Sequence, residues 1–343
     1  MPRSSIAFLV ASTLLSLCNS ASAQPIGDPV THSIIVNVRD SHGNVLRDLT
    51  KDNFRVRIAG EPAKVLDASY GVAPRRIVVL LDMSGSMAGF PEKNKKWKIT
   101  RQVVEDLLDE APPNVQIALL TFSDKTLEVF DFSQGRAILR EWLTRGPSQH
   151  PIARGQTALL DSILAAIKLL RPHHLGDAIY AITDGFDNVS HSSARIVEEV
   201  LSASGIRLFA LLLSDYVLEE MVTLGRLDFI EIARDSGGFV FGLSSRGEAP
   251  ENKFSPLKRF DYEFNEQMRD TIKDLTRLLC VQINGFYSLL IVEPNLQKTG
   301  TLRLEVRDKS GKVAKGITFT CPSMIVPKLD SNRAQMITRA DTF

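Results

Sequence analysis

This chain is short of the residues that most often announce a function. Cysteine occurs three times in 343 residues, tryptophan twice and tyrosine five times. So few cysteines exclude a disulfide-dense scaffold and a thiolate metal cluster. The six histidines are scattered, and the adjacent pair His173-His174 has no third ligand beside it to build a zinc site. Neither sign of charge dominates. The 41 Lys and Arg against 40 Asp and Glu give a formal net charge of +1, which denies the chain the basic footprint of a nucleic-acid binder. The apolar run at the N-terminus, Ile6 to Cys18, falls well short of the ~20 residues of a membrane span. What remains is 44% hydrophobic and 24% charged, an ordinary globular balance, at a length that suits one large domain with additions or two to three domains.

The first residues form a unit of their own. Arg3 supplies a positive start, Ile6 to Cys18 a short apolar stretch, and Ala21-Ser22-Ala23 a small-residue cleavage site before Gln24-Pro25. This reads as a signal peptide over residues 1–23, which makes the mature chain secreted or periplasmic and without a transmembrane anchor. An uncleaved N-terminal anchor is one alternative. A lipoprotein acylated on Cys18 is another, though Leu17 is bulky for that pattern. With Cys18 removed, Cys280 and Cys321 are left, either bridged outside the cytoplasm or free in separate elements.

Along the exported chain the rhythm changes twice. Residues 28–74 are β-rich: Ser33 to Val38 and the strictly alternating Phe54 to Ile58 read as strands, with turns at Asp40 to Gly43 and Ala59 to Pro62. From residue 75 to 282, strands alternate with short helices. The strands are Ile77 to Leu81, Val115 to Phe122, Thr126 to Phe132 near a sheet edge, Ala178 to Thr183, Ile206 to Leu213 and Phe239 to Phe241. Helical spacing marks Lys98 to Glu110, Ala137 to Leu143, Thr157 to Leu170, Ala194 to Ala203, Phe229 to Asp235 and Phe264 to Cys280. Such alternation predicts an α/β fold, a three-layer α-β-α stack on an open, mostly parallel sheet. Residues 283–325 are β-rich again, with a hairpin turn at Arg307 to Gly311 between Thr301–Val306 and Val313–Thr320, and residues 326–343 are a polar tail. Each β segment is marginal alone. Together they make one small β-rich domain from the N- and C-terminal segments, or else two separate units.

The chemistry gathers at strand ends. Directly behind Ile77-Val78-Val79-Leu80-Leu81 comes Asp82-Met83-Ser84-Gly85-Ser86, where a parallel strand delivers its chain to the ligand crevice. Thr157 opens a helix, where its hydroxyl sits at an N-cap position, and Asp184-Gly185 follows the strand Ala178 to Thr183. Loops at one carboxyl edge meet, so Asp82, Ser84, Ser86, Thr157 and Asp184 can converge into a set of oxygen ligands. Two carboxylates roughly neutralise a divalent cation, and hydroxyls fill its shell without adding charge. That suits magnesium first, with calcium or manganese also compatible. Taken singly, each fragment is equally well a backbone-capping turn or a helix cap; it is the three in order that point to a metal.

These residues resemble the von Willebrand factor type A (VWFA) domain family, whose metal-ion-dependent adhesion site (MIDAS) uses an Asp-x-Ser-x-Ser loop, a threonine and an aspartate. Asp82, Ser84 and Ser86 match the first loop, Thr157 the second and Asp184 the third. The resemblance covers roughly residues 75 to 282. A bacterial secreted subgroup is also similar in its β-rich preface, here Leu46 to Phe54, and in its β tail from Gly285. The resemblance implies a Rossmann-like VWFA fold and a protein partner that completes the ion's shell with an Asp or Glu carboxylate.

Other features carry less. Lys93, Lys95, Lys96 and Lys98 around Trp97 read as a solvated face or as a positive rim for an acidic partner. His191, Phe90, Phe186 and Asp187 lie close to the site in sequence, and Asn188-Val189-Ser190 is a glycosylation sequon. Ser84 or Ser86 as a nucleophile needs a base, and no Ser-His-Asp grouping can be assembled. The expected function is an adhesion-type, protein-binding module rather than an enzyme. A structural component of an envelope assembly is the runner-up and a metal-assisted hydrolase the least favoured reading.

Overall fold

Alternating apolar residues need a partner surface, and the strands at the two ends of the chain supply one another's. The computed structural model describes residues 30–71, 75–88, 95–145, 156–214, 227–244, 257–259, 264–294 and 296–327. The signal-peptide region, most of the polar tail, Phe90, Lys93 and Gly155 lie outside them. The chain begins with β1 (Thr31–Arg39), β2 (Phe54–Ile58), β3 (Glu61–Ala63) and β4 (Val65–Gly71). An α/β section follows. Its strands are β5 (Arg75–Asp82), β6 (Val115–Phe122), β7 (Thr126–Phe130), β8 (Ala178–Thr183), β9 (Arg207–Ser214), β10 (Val240–Ser244) and β11 (Leu257–Arg259). Its helices are α1 (Gly85–Ala88), α2 (Lys95–Glu110), α3 (Gly135–Thr144), α4 (Leu159–Leu169), α5 (Ala194–Ser204), α6 (Leu227–Asp235) and α7 (Glu266–Asn284). The chain returns to β structure in β12 (Phe286–Val292), β13 (Gly300–Val306), β14 (Thr318–Thr320) and β15 (Met324–Ile325).

The central sheet runs β11-β10-β9-β8-β5-β6-β7, parallel except for β7, which pairs antiparallel with β6 at one edge. Side chains on a strand alternate between faces. Thus Ile77, Val79 and Leu81 of β5 enter the core covered by α2, α3 and α7, whereas Val78 and Leu80 enter the core under α4, α5 and α6. The expected three-layer α-β-α stack is therefore present. Because β5 lies between β6 and β8, its carboxyl end is the place where successive connections leave toward opposite sides of the sheet. A crevice opens at such a point.

The β segments form two four-stranded sheets, β14-β1-β12-β4 and β15-β13-β2-β3, each drawing strands from both ends of the chain. Ile34, Val36 and Val38 of β1 and Tyr287, Leu289 and Ile291 of β12 face Phe54, Val56 and Ile58 of β2 across one core. The predicted hairpin is only partly right. Val313 bridges Arg307 and the Ala314 N–H donates to Val306, but Thr318–Thr320 then crosses to pair with β1 while β13 pairs with β2 and β15. The turn chemistry was local, and the strand's partner was not. Cys280 and Cys321 are free thiols.

One buried cation joins the sandwich to the α/β section. Arg207, at the start of β9, donates to Asn37 Oδ1 at 3.0 Å and to the carbonyls of Gln282 and Ile283 at 2.9 and 3.2 Å. These are two of the last carbonyls of α7, which lack partners within the helix. The guanidinium also lies over Phe209 and Phe286, and its burial beside Arg75 pushes its pKa down to about 9. Removing it takes a donor from Asn37 Oδ1 and from the Gln282 and Ile283 carbonyls, of which Gln282 keeps the Asn37 amide, and opens a cavity. Arg207→Ala is expected to destabilise the protein by roughly 3 kcal/mol or more, read as the midpoint of urea unfolding, with Arg207→Lys in between. A loss under about 1 kcal/mol would show that these carbonyls find other partners.

Candidate metal centre

The register of the sheet builds this site. β5 pairs with β8 so that Leu81 lies opposite Ile182, and with β6 so that Asp82 lies opposite Phe122. Asp82, Thr183 and Ser123 are therefore delivered to one edge. Asp82 is fully buried. Its Oδ1 accepts the Ser84 N–H at 2.8 Å, and its Oδ2 accepts the Thr183 hydroxyl at 2.6 Å. The first bond is the side-chain-to-backbone turn that an Asp two residues ahead of its partner makes. It turns the chain into the single helical turn α1, which sets the Ser84 and Ser86 hydroxyls 3.2 Å apart. Ser84 is buried and Ser86 is exposed.

Asp184 follows Thr183 and is also buried. The next residue, Gly185, has φ of +80°, and a Cβ there would stand 2.6 Å from Leu212 Cδ1, so a side chain at this turn is excluded twice over. The Gly185 N–H returns to the Thr183 hydroxyl at 3.1 Å. Lys96, on the first turn of α2, is buried with its Nζ 3.8 Å from Asp184 Oδ2.

Thr157 reaches the same edge by a different route. The Ala158 N–H donates to Ser123 at 2.6 Å, just past the end of β6. The Thr157 N–H donates to Asn188 Oδ1 at 2.8 Å, and the Asn188 N–H returns to the Thr157 carbonyl at 3.0 Å. The expected N-cap role of Thr157 is not what the structure has. Ala158 is the N-cap residue, without a side-chain bond, and the first turn of α4 is satisfied from outside: Leu160 N–H by Asp187 Oδ2 at 2.8 Å and Asp161 N–H by Ser190 Oγ at 3.1 Å. Thr157 is buried, and its hydroxyl takes no part in capping. The sequon's Asn188 is thus a brace between two loops. His191 is turned to Asp161, with its ring nitrogen 3.3 Å from the carboxylate, and His173 faces the Ile167 carbonyl.

The donor chemistry fits a hard divalent cation. Two oxygens at right angles on an ion with bonds of ~2.0–2.1 Å are about 3 Å apart, close to the 3.2 Å between the two serine hydroxyls. Among the described residues no group of three or more His, Cys, Asp or Glu side chains gathers, so a nitrogen or sulfur cage is not what this edge offers. Thr183 and Lys96 are the neighbours that motif reading missed. Thr183 is the last residue of a uniformly buried strand, where a hydroxyl needs a partner. Lys96 reads in the sequence as part of a solvated face or positive rim, and its place beside Asp184 is not legible there.

Burial and the neighbouring Asp184 push the Asp82 carboxyl well above the ordinary carboxylate range, against the lowering effect of its hydrogen bonds from Thr183 and Ser84. A carboxyl whose native pKa is raised binds more protons folded than unfolded, so stability falls as pH rises from its unfolded pKa near 4 through the raised native value. With chelator present, the wild type is expected to melt lower at pH 8 than at pH 5. Asp82→Asn should shrink that difference, since it keeps the shape and removes the charge. A difference that is unchanged in Asp82→Asn would assign the pH dependence elsewhere.

Comparison with solved structures finds similar folds at low identity. Proximal thread matrix protein 1 from the mussel byssus, solved with a zinc-occupied MIDAS motif, matches at 18% identity and a TM-score of 0.44, over 65% of this chain and 49% of that one. The present chain thus spans about half the length of that relative. A von Willebrand factor type A protein from Catenulispora acidiphila matches at 12% identity and a TM-score of 0.43, over 91% and 79% of the two chains. The PilB minor pilin from Streptococcus sanguinis matches at 14% identity and 0.40, over 62% and 63%. A search of curated proteins finds no match. The family model for the von Willebrand factor type A domain matches residues 77–186, from β5 to just past Asp184. That match and the sheet topology identify residues 77–186 of the α/β section as similar to the von Willebrand factor type A domain.

Proposed function

We propose that this protein is a secreted or periplasmic adhesion-type module that recognises an acidic group of a protein partner through a divalent cation. Asp82, Ser84, Ser86, Thr157 and Asp184 are the residues that would hold the ion, magnesium by preference and calcium or manganese as compatible substitutes. When bound, the ion supplies a positive centre for the partner's Asp or Glu carboxylate. The family is one of non-catalytic interaction modules. Among the described residues no helix is long and apolar enough to cross a membrane.

The observation that carries this reading is a pair of buried carboxylates, Asp82 and Asp184, at adjacent strand ends beside two hydroxyls 3.2 Å apart. Two buried carboxylates side by side, with hydroxyls at hand, offer a divalent cation an oxygen shell. Thr183 and the Ser84 N–H orient Asp82, while the Asn188 brace holds Thr157, so the chain fixes its ligand loops through bonds that need no ion. The secreted or periplasmic placement rests on Arg3, the apolar stretch after it and Ala21-Ser22-Ala23.

Titration with magnesium or manganese chloride, followed by calorimetry, is expected to give one ion per chain, and Asp82→Ala or Asp184→Ala should weaken it by about 100-fold or more. Partner capture from envelope extract should then need the ion and fail with chelator or with Asp82→Ala. No ion bound at millimolar magnesium would overturn the reading. Capture that ignores both changes would favour a structural component of an envelope assembly, with its contacts elsewhere.

A further inference from the structure

Lys96 breaks three local rules at once. It is buried, as lysine rarely is. It lies in the first turn of α2, where the helix dipole is positive and disfavours a cation. That first turn holds no acid to compensate it. Lys98, on the same turn, is exposed and obeys the ordinary pattern. Residues that violate local preference together are held by something nearby, and Asp184 Oδ2 stands 3.8 Å from the Lys96 ammonium. Asp184 is also a proposed ligand.

We propose that Lys96 is the resident cation of the metal-free site: its ammonium holds Asp184 until a divalent ion displaces it, so loading is an exchange and Lys96 sets the ion concentration at which the partner site forms. This rests on the metal reading above. The ammonium and a dication carry the same sign and compete for one carboxylate, Asp184. An ion touching Asp184 would lie within a few ångströms of the ammonium, where repulsion is strong in a site screened from water. Lys96 therefore steadies the empty site and opposes the filled one.

The ion would be manganese, followed by calorimetry and by the electron paramagnetic resonance of the free ion. Lys96→Met is expected to bind it at least tenfold tighter than wild type, and Lys96→Arg about as wild type does. The melting temperatures should cross: metal-free Lys96→Met melts below wild type, and the order reverses with saturating manganese. Trp97 and Trp142, packed edge to face with ring centroids 6.2 Å apart, are the chain's two tryptophans. Their emission should change when magnesium is added to wild type and stay constant in Asp82→Ala. Lys96→Gln gives the same reading if Lys96→Met does not fold. Equal or weaker affinity in the uncharged variants would overturn the exchange and make Lys96 a fixed brace, with the metal reading intact. No binding by wild type or by either uncharged variant would remove the metal reading itself, and the exchange with it.

Discussion

The hydrogen bond from the Thr183 hydroxyl to Asp82 Oδ2, 2.6 Å long, ties together the ends of the two strands on which the site depends. Asp82 is buried beyond the last apolar residue of the central strand, so neither of its oxygens can turn to water for a partner. Oδ1 is fixed by its own loop and Oδ2 by the neighbouring strand. Both bonds depend on the parallel register that sets Leu81 opposite Ile182. A slip of one residue would turn Asp82 to the other face of the sheet, exchanging a carboxylate for an apolar side chain in the core under α2 and α7. Fold and site are thus held by one constraint, and the apolar alternation of β5 and β8 enforces it.

That alternation explains what the amino-acid sequence made legible. Ile77 to Leu81 and Ala178 to Thr183 are apolar almost throughout because both faces are covered, and a continuous apolar run followed by Asp is easily read. The candidate residues are legible because they flank elements whose period is plain: Asp82, Ser84 and Ser86 after β5, Asp184 after β8 and Thr157 before α4. The misreadings share one cause, a partner distant in the chain. Thr157 looked like a helix cap because it opens α4, yet Asp187 and Ser190 from a later loop do the capping. Thr318–Thr320 looked like the second arm of a hairpin, but its pairing is with β1. Lys96 looked like part of a solvated face or positive rim because a run of lysines has no local reason to turn inward, and its ion-pair neighbour Asp184 comes after β8.

The two halves of the molecule use opposite edges of the central sheet. Arg75 and Arg207 stand at the first residues of β5 and β9, and with Phe286 and Asn37 they fasten the sandwich to the amino-terminal edge. The candidate site is at the carboxyl-terminal edge of the same strands. Asn37 reinforces the joint by donating to the Gln282 and Gly285 carbonyls at 3.1 and 2.5 Å, where α7 hands the chain to β12. The sandwich therefore supports the α/β section from behind and leaves the candidate loops at the opposite edge. A buried arginine bonded mainly to carbonyls and aromatic faces suits such a joint, since its planar fork reaches several acceptors in fixed directions.

The balance of ligand types at the forward edge also bears on what such a site can recognise. Had Ser84 and Ser86 been carboxylates, the cluster would hold four negative charges, and a bound dication would leave it negative and repellent to an acidic partner. With hydroxyls at both positions and at Thr157, the proposed ligand set would carry two negative charges, enough to attract a divalent ion and too few to satisfy it beyond neutrality. Lys96 moves the balance one charge further toward positive. A carboxylate from outside is then the group that gains most by approaching, whereas an amide or hydroxyl gains only a hydrogen bond or a weak coordination. Selectivity for acidic partners would follow from the charge the site withholds as much as from the charge it supplies.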